Sequence, residues 1–136
     1  MSMFSRFNPA ARAVITLAEQ ECRNASHYYL GTEHLLLAMA IDPPGDIAAE
    51  LSRLALEPWL VKRALREAME PAGDHPWEGI IITPRVQRIF AAASSAVPQG
   101  ELVQPIDVLR AIVAEGGGLA ARVLEQLTAP QAAGQR

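Results

Sequence analysis

Glu33 and His34 are the adjacent side chains best suited to chemistry, because a carboxylate and an imidazole can exchange protons or bind a cation. They follow Gly31 and Thr32 and precede an apolar run at 35–41. Neighbouring residues of a helix point about 100° apart, so the two side chains do not converge easily on one reacting atom. No nucleophile with an orienting partner is evident. An enzyme that uses Glu33 and His34 is therefore a disfavoured alternative.

The histidines and the cysteine do not form a metal-binding motif. His27, His34 and His75 show no paired ligand spacing, and Cys22 is the single cysteine. We expect His34 to have a structural role near a helix start, with its side chain bonded to backbone across the interface between two halves of the chain. Cys22 is expected to be a small buried hydrophobe. We predict no cofactor and no bound metal.

A helix start explains the polar residues before the apolar run. Thr32 can cap a helix with its hydroxyl, and Glu33 lies in the first turn, where the helix dipole favours an anion. The helix should run from about Thr32 to Ile41, because Asp-Pro-Pro-Gly at 42–45 stops it. The pattern therefore predicts a buried helix with a polar start.

The composition of the 136 residues predicts one all-α domain, since half are hydrophobic and only 5% are aromatic. A formal net charge of −3 argues against a nucleic-acid binder, which usually has a basic face. One cysteine excludes an internal disulfide, and no signal peptide or membrane-spanning run is visible. We therefore expect a cytoplasmic protein without membrane contact.

Capping signals place three further helices in the first half. Asn8-Pro9 opens the first helix, a third lies around Ile47 to Leu54, and Pro58 starts a fourth that runs to about Met69. Trp59 is expected to cover the core and Trp77 to be partly exposed. The expected core face of the first helix consists of Ala11, Val14, Ile15, Ala18, Cys22 and Ala25, and the fourth has Leu60, Ala64, Leu65 and Ala68 available for packing. The third helix is marked by Ile47, Ala48, Leu51 and Leu54.

The second half repeats the first. Thr83-Pro84 copies the cap-plus-proline start, Val86 falls 75 residues after Ala11, and 105–111 matches 32–38 at an offset of 73. Nothing after Leu127 corresponds to the fourth helix, so we predict seven helices. The repeats span about 8–69 and 83–127 within a domain at 1–127, with an exposed linker at 70–82 and a polar tail at 128–136. The glycines at 116–118 align with the turn at 44–45 and are expected to form a flexible connection.

Four features together resemble the N-terminal domain of Clp-type AAA+ unfoldases, in particular the ClpC branch. They are the duplicated helices, the opening at 3–7, the Gly-Thr-Glu-His-Leu-Leu-Leu string at 31–37 and the Ile-Thr-Pro-Arg restart at 82–85. The resemblance implies two pseudo-symmetric four-helix repeats, of which the eighth helix is missing here. It also implies a domain that receives substrates, adaptor proteins and certain cyclic peptides for a hexameric ATPase. The chain lacks a Gly-x-x-x-x-Gly-Lys-Ser/Thr loop, so it is not the motor itself.

The same resemblance implies which residues bind ligands. Glu33 matches a glutamate that holds the guanidinium of a phosphorylated arginine, whereas the second half has Ile106 at this place, so at most one such site is expected. The implied ligand-binding residues are Phe4 and Arg12, in a groove for cyclic peptides and adaptors, Ile82 in place of a second groove aromatic, Arg6 as a partner for an anionic group, and Thr32 beside Glu33.

The function predicted from the sequence is therefore non-catalytic binding of proteins or peptides. The expected partners are the Clp ATPase and protease machinery, its adaptors, and substrate or cyclic peptides. Two alternatives stay open: a stand-alone decoy that sequesters toxic peptides or competes for adaptors, and a fragment of a full-length Clp ATPase.

Overall fold

The computed structural model describes residues 4–69 and 79–129. Within these ranges the chain forms seven helices and two short strands, so the all-α prediction with seven helices is confirmed. The expectations for Trp77, His75, most of the linker and the tail at 130–136 lie outside the described residues. The elements are α1 (Pro9–Asn24), β1 (Tyr29–Leu30), α2 (Thr32–Ile41), α3 (Gly45–Arg53), α4 (Pro58–Ala68), β2 (Ile81–Ile82), α5 (Pro84–Ala96), α6 (Pro105–Glu115) and α7 (Leu119–Thr128).

The first helix of each repeat begins with the same device. The Asn8 side chain accepts a hydrogen bond from the N–H of Ala11 at 2.8 Å, and the Thr83 hydroxyl accepts one from the N–H of Val86 at 3.2 Å. A proline follows each cap at the first helical position, where a missing N–H has no cost. The caps read from the sequence therefore set both helix starts.

Helix α2 is the centre of the core. Its residues 32–40 are all buried, and it packs against α1, α4 and α7. The α1–α2 pair of repeat one is matched by the α5–α6 pair of repeat two. No helix in the described ranges is both long and apolar enough to cross a membrane.

The packing face expected for α4 is right in part: Leu65 is buried and Ala64 packs against the core, but Ala68 is exposed, Leu60 is half-buried, and Val61, which was not expected, is buried. Trp59 is 56% exposed and does not cover the core, because it lies two residues before Val61 and points about 200° away around the helix.

A smaller difference concerns the end of α1, where Ala25 is half-buried. Of the residues that mark α3, Ile47 and Leu51 are buried, Leu54 packs against the core and Ala48 is exposed. The remaining apolar face expected for α1 is buried as predicted.

The sequence did not indicate the strand pairing. β1 and β2 pair in parallel, with Leu30 opposite Ile82, and an isolated parallel bridge joins Phe7 to Val103. The residues before α5 thus pair with those before α2, and the residues before α1 pair with those before α6. The end of the expected linker is therefore part of a small sheet that joins the repeats.

Candidate ligand pocket between the two repeats

An open pocket of about 510 Å³ lies where the N-terminal ends of α2, α5 and α7 meet. Both repeats contribute to its lining, which includes Thr32, Glu33, Thr83, Arg85, Arg88 and Arg122. We call it the inter-repeat pocket. Helix N-termini carry partial positive charge, so three of them beside three arginines favour a negatively charged group.

Glu33 brings a buried carboxylate to this pocket. It is only 8% exposed, and no donor or cation among residues 4–69 and 79–129 pairs with it. The carboxylate oxygens of Glu33 are not among the fully buried atoms without a partner, so they keep solvent contact through the open pocket, and a cationic ligand group there would meet an unpaired carboxylate.

Gly31 leaves the space that the Glu33 carboxylate occupies. The sequence analysis did not assign this role to Gly31. A β-carbon built on Gly31 would lie 2.5 Å from Oε1 of Glu33, which no side chain tolerates without a shift. The only sequence feature that could have indicated this role is the position of the glycine directly before Thr32 and Glu33. Gly31 therefore belongs to the candidate site as the residue that makes room for the carboxylate.

Thr32 caps a different helix from the one expected. The N-cap of α2 is Gly31, while the Thr32 hydroxyl accepts a hydrogen bond from the N–H of Ala120 in α7 at 3.2 Å. A β-carbon on Gly118 would lie 2.5 Å from this hydroxyl, so the α6–α7 connection packs closely on repeat one. The expectation of a merely flexible glycine connection misses this contact.

His34 supplies the cap of α2 from within. Its Nδ1 accepts a hydrogen bond from the N–H of Gly31 at 3.0 Å, and its Nε2 lies 2.8 Å from Nδ1 of His27. The expected structural role at the helix start agrees with this geometry, but the bond to backbone across the repeat interface is wrong. Asp107 does the same in repeat two, accepting from the N–H of Gln104 at 2.8 Å. Burial, followed by the charge of His27, lowers the pKa of His34 to about 4.

Glu115 organises the arginine side of the inter-repeat pocket. Its Oε2 accepts a hydrogen bond from Nε of Arg85 at 3.1 Å and lies 3.7 Å from Arg88, while its Oε1 accepts from the N–H of Gly117 at 3.0 Å. The Gly117 bond and then Arg85 lower the pKa of Glu115. Arg122 has no acidic partner in the described part of the chain. At least this arginine is free to meet an anion.

Repeat two has no equivalent of the Glu33 carboxylate. Ile106 takes that position, and its N–H donates a hydrogen bond to Oδ2 of Asp46 on α3 at 2.9 Å. A carboxylate of the protein itself thus occupies the start of α6. Of the two equivalent positions, therefore, only Glu33 of repeat one brings a carboxylate to the inter-repeat pocket.

The other predicted site residues lie outside the lining of this pocket. Arg6 donates hydrogen bonds to the carbonyl oxygens of Ser94, Val97, Pro98 and Glu101 at 2.9–3.3 Å, at the end of α5 and in the turn after it. Arg12 donates to the carbonyl oxygens of Phe7 and Ser5 at 3.0 and 3.3 Å. Both guanidinium groups therefore hold backbone of the protein, and ligand binding by them stays a prediction.

Phe4 and Ile82 also have structural partners. The ring of Phe4 lies 5.6 Å from that of Phe7 and 5.4 Å from that of Phe90, in edge-to-face geometry. Ile82 is half-buried in β2, next to Thr83 of the inter-repeat pocket. Their part in a peptide groove is untested.

The described residues offer neither a metal-binding cluster nor a reactive thiol. They contain no group of three or more His, Cys, Asp or Glu side chains able to hold a metal ion. Cys22 is buried, its thiol donates to the carbonyl oxygen of Tyr29 at 3.3 Å, and burial raises its pKa to about 12. A thiol held in this way is not a nucleophile at neutral pH.

The fold and the pocket define a duplicated helical domain with a charged cavity between its repeats. The chain belongs to the Clp repeat (R) N-terminal domain family, whose model matches residues 6–127. The resemblance read from the sequence is thereby confirmed.

Curated relatives are much longer than this chain. It is 31% identical over 127 residues to the chaperone protein ClpB of Oceanobacillus iheyensis, and 30% identical over 127 residues to the negative regulator of genetic competence ClpC/MecB of Bacillus subtilis. Each alignment covers 92% of this chain but only 16% of the relative. The similarity therefore concerns one domain of those proteins.

Solved structures share the fold. The N-domain of ClpV from Vibrio cholerae matches with a TM-score of 0.73 at 16% identity, over 84% of this chain and 70% of that one. The N-terminal domain of ClpD from Arabidopsis thaliana matches with a TM-score of 0.69 at 19% identity, over 93% and 90%. A complex of the ClpV N-domain with a VipB peptide matches with a TM-score of 0.74 at 15% identity, over 91% and 79%.

Proposed function

We propose that this chain is a non-catalytic receptor domain that binds a charged group of proteins or peptides in the inter-repeat pocket. The observation that carries the proposal is the Glu33 carboxylate, 8% exposed and without a donor among the described residues, at a pocket lined by three arginines. A solved ClpV N-domain in complex with a VipB peptide supports peptide binding by a domain of this fold.

Phosphoarginine is the ligand group that fits this charge arrangement. A planar guanidinium pairs with a carboxylate through two parallel hydrogen bonds, which suits Glu33. A phosphate on the same side chain suits Arg122, Arg88 and the N-terminus of α7. Unmodified arginine carries only the cationic half, so the arginines of the pocket disfavour it.

Calorimetric titration with free phosphoarginine and with a phosphoarginine peptide tests this assignment. Wild-type protein should bind both, and Glu33→Gln should lose binding at least tenfold while its shape is preserved. Glu57→Gln, an exposed glutamate at the start of α4, is the matched control and should bind as wild type does. Equal binding by wild type and Glu33→Gln would contradict the site, as would equal affinity for free arginine.

The partners proposed on the same basis are the Clp ATPase and protease machinery, its adaptors and their substrates, in the cytoplasm. Co-purification with a Clp ATPase would support delivery of substrates or competition for adaptors. We propose that a cyclic peptide would bind at the surface around Phe4. Titration of wild type and of Phe4→Ala with a cyclic peptide tests this site separately from the inter-repeat pocket. Recovery of small peptides alone would favour sequestration.

A further inference from the structure

In repeat two, two arginines of α5 bind a carboxylate at the end of α6. The Nε of Arg85 donates a hydrogen bond to Oε2 of Glu115 at 3.1 Å, and the guanidinium of Arg88 lies 3.7 Å from the same oxygen. The N–H of Gly117 donates to Oε1 of Glu115 at 3.0 Å. This carboxylate therefore has two basic partners and one backbone donor.

In repeat one, the equivalent carboxylate belongs to Asp42. The offset of 73 residues that relates α2 to α6 aligns Asp42 with Glu115 and Pro44 with Gly117. Proline has no backbone N–H, so Pro44 cannot donate as Gly117 does. The Asp42 side chain is exposed, and no donor or cation among residues 4–69 and 79–129 pairs with its carboxylate. Repeat one thus keeps the acidic group without the partners that it has in repeat two.

Two alanines leave room where repeat two has its arginines. The offset of 75 residues that relates α1 to α5 aligns Ala10 with Arg85 and Ala13 with Arg88. Both alanines are exposed, and an open groove of about 210 Å³ lies beside them, between α1 and the end of α2. We call it the α1–α2 groove. Apart from Asp42, the side chains that line it are apolar.

The α1–α2 groove has the two properties that suit an arginine side chain. Its apolar walls, which include Leu17, can cover the aliphatic stem, and the Asp42 carboxylate can accept hydrogen bonds from the guanidinium. A phosphorylated arginine would instead bring a phosphate close to Asp42, without the arginines that the inter-repeat pocket provides. The groove therefore favours the unmodified side chain.

We propose that the α1–α2 groove binds an unmodified arginine side chain of a partner protein. This arginine would take the place that Arg85 takes against Glu115 in repeat two, with Asp42 as the acceptor. The groove and the inter-repeat pocket share no lining residue. The two sites can therefore be tested independently, and the proposal does not depend on phosphoarginine binding.

The probe is an acetylated and amidated peptide with the sequence of residues 84–89, which carries both arginines of α5. Titration into the isotope-labelled whole protein, followed by two-dimensional NMR, detects weak binding and locates it. The amide signals of Ala10, Ala13 and Asp42 should shift and saturate. A peptide with citrulline at both arginine positions keeps the shape without the charge, and it should bind about fivefold more weakly, the upper range for an exposed ion pair.

Two variants test Asp42 and the groove directly. Asp42→Asn should weaken binding of the arginine peptide by about fivefold as well. Ala10→Arg should abolish it, because the new side chain would occupy the groove and pair with Asp42. The matched controls are Glu57→Gln, an exposed acid at the start of α4, and Ala91→Arg, an exposed alanine of α5 outside the groove. Both should bind the peptide as wild type does.

Four results would overturn the proposal. They are no saturable shift with the arginine peptide, equal binding of the citrulline peptide, equal binding by Asp42→Asn, and tighter binding in the groove when the arginines of the peptide are phosphorylated. Glu33→Gln should leave binding unchanged. Loss of binding in Glu33→Gln would also overturn the proposal, because the arginine would then lie in the inter-repeat pocket.

Discussion

The Glu33 carboxylate packs so closely on Gly31 that no β-carbon fits between them. Position 31 must therefore be a glycine for Glu33 to keep this conformation. This is a close approach and not a backbone requirement, because Gly31 has a φ of −105°, which any residue adopts. Sequence analysis singled out Glu33 but not Gly31, because a side chain that folds back on the preceding turn leaves no periodic signal.

Gly31→Ala should therefore destabilise the domain and weaken ligand binding together. The new β-carbon would force Glu33 to move, and overpacking of this kind costs about 1–3 kcal/mol. Urea unfolding measures the stability, and phosphoarginine titration measures the site. Gly45→Ala is the control, because a β-carbon there meets nothing within 4 Å. Wild-type stability and affinity in Gly31→Ala would contradict this account of Gly31.

At the scale of elements, helix starts were predictable and short strands were not. Asn8 and Thr83 cap helices through side chains whose chemistry is local, so the sequence around them was enough. β1 and β2 have two residues each, too few for any alternation, and their pairing depends on contact between residues about 50 positions apart. The prediction that Trp59 covers the core was wrong for a related reason: the exposure of Trp59 depends on which face of α4 packs on α2, and that is a contact between distant residues.

The buried cap of α2 should make stability depend on pH. His34 has a pKa of about 4 in the folded protein and an ordinary value of 6.5, so the unfolded state binds the proton first as the pH falls. Its contribution is complete above pH 6.5 and declines towards pH 4, by about 3 kcal/mol in total. Unfolding between pH 7 and 4.5 measures most of this change.

His34→Asn is the control for that dependence, because an amide oxygen can accept the Gly31 hydrogen bond and does not titrate. The carboxylates of Glu50 and Glu115, whose pKa values are lowered by Arg53 and by the Gly117 bond, lose stabilisation only below their ordinary value of 4.5. A decline between pH 6.5 and 4.5 of the same size in His34→Asn would show that another group is responsible.

Arg6 is one anchor of the segment before α1, which also packs Phe4 and Phe7 on Phe90 and bonds to the backbone of Val103. Arg6→Ala removes four hydrogen bonds to carbonyl oxygens at the end of α5 and should destabilise the protein by about 1–3 kcal/mol. Amide hydrogen exchange should become faster at residues 97–103. Arg110→Ala is the matched control, since that exposed arginine lies 3.8 Å from Asp107 and bonds to no carbonyl oxygen of residues 4–69 and 79–129. Unchanged exchange in Arg6→Ala would contradict the role of Arg6.

At the scale of the whole molecule, the two repeats behave as one unit. Thr32 of repeat one bonds to α7 of repeat two, and two short parallel pairings also cross between the repeats. The duplication could be predicted from matched spacings in the sequence, but these cross-repeat contacts could not, because each depends on how the repeats dock. The candidate pocket exists only in the docked arrangement.

Thr32→Val tests this coupling. The change keeps the shape but leaves the buried N–H of Ala120 without an acceptor, which costs about 1–3 kcal/mol. Urea unfolding should show the loss in a single transition, seen equally by circular dichroism and by tryptophan fluorescence. Thr16→Val, at an exposed position of α1, is the control. Separate transitions for the two probes would mean that the repeats unfold independently.

The two cross-repeat pairings have a consequence for the origin of the domain. Phe7 pairs with Val103 while Ile82 pairs with Leu30, so each repeat gives its entry segment to the other. Two identical copies of a single repeat could satisfy both pairings around a twofold axis. The contacts that now join the halves of one chain are thus of the kind that would hold together an ancestral homodimer, before gene duplication and fusion allowed Glu33 and Ile106 to diverge.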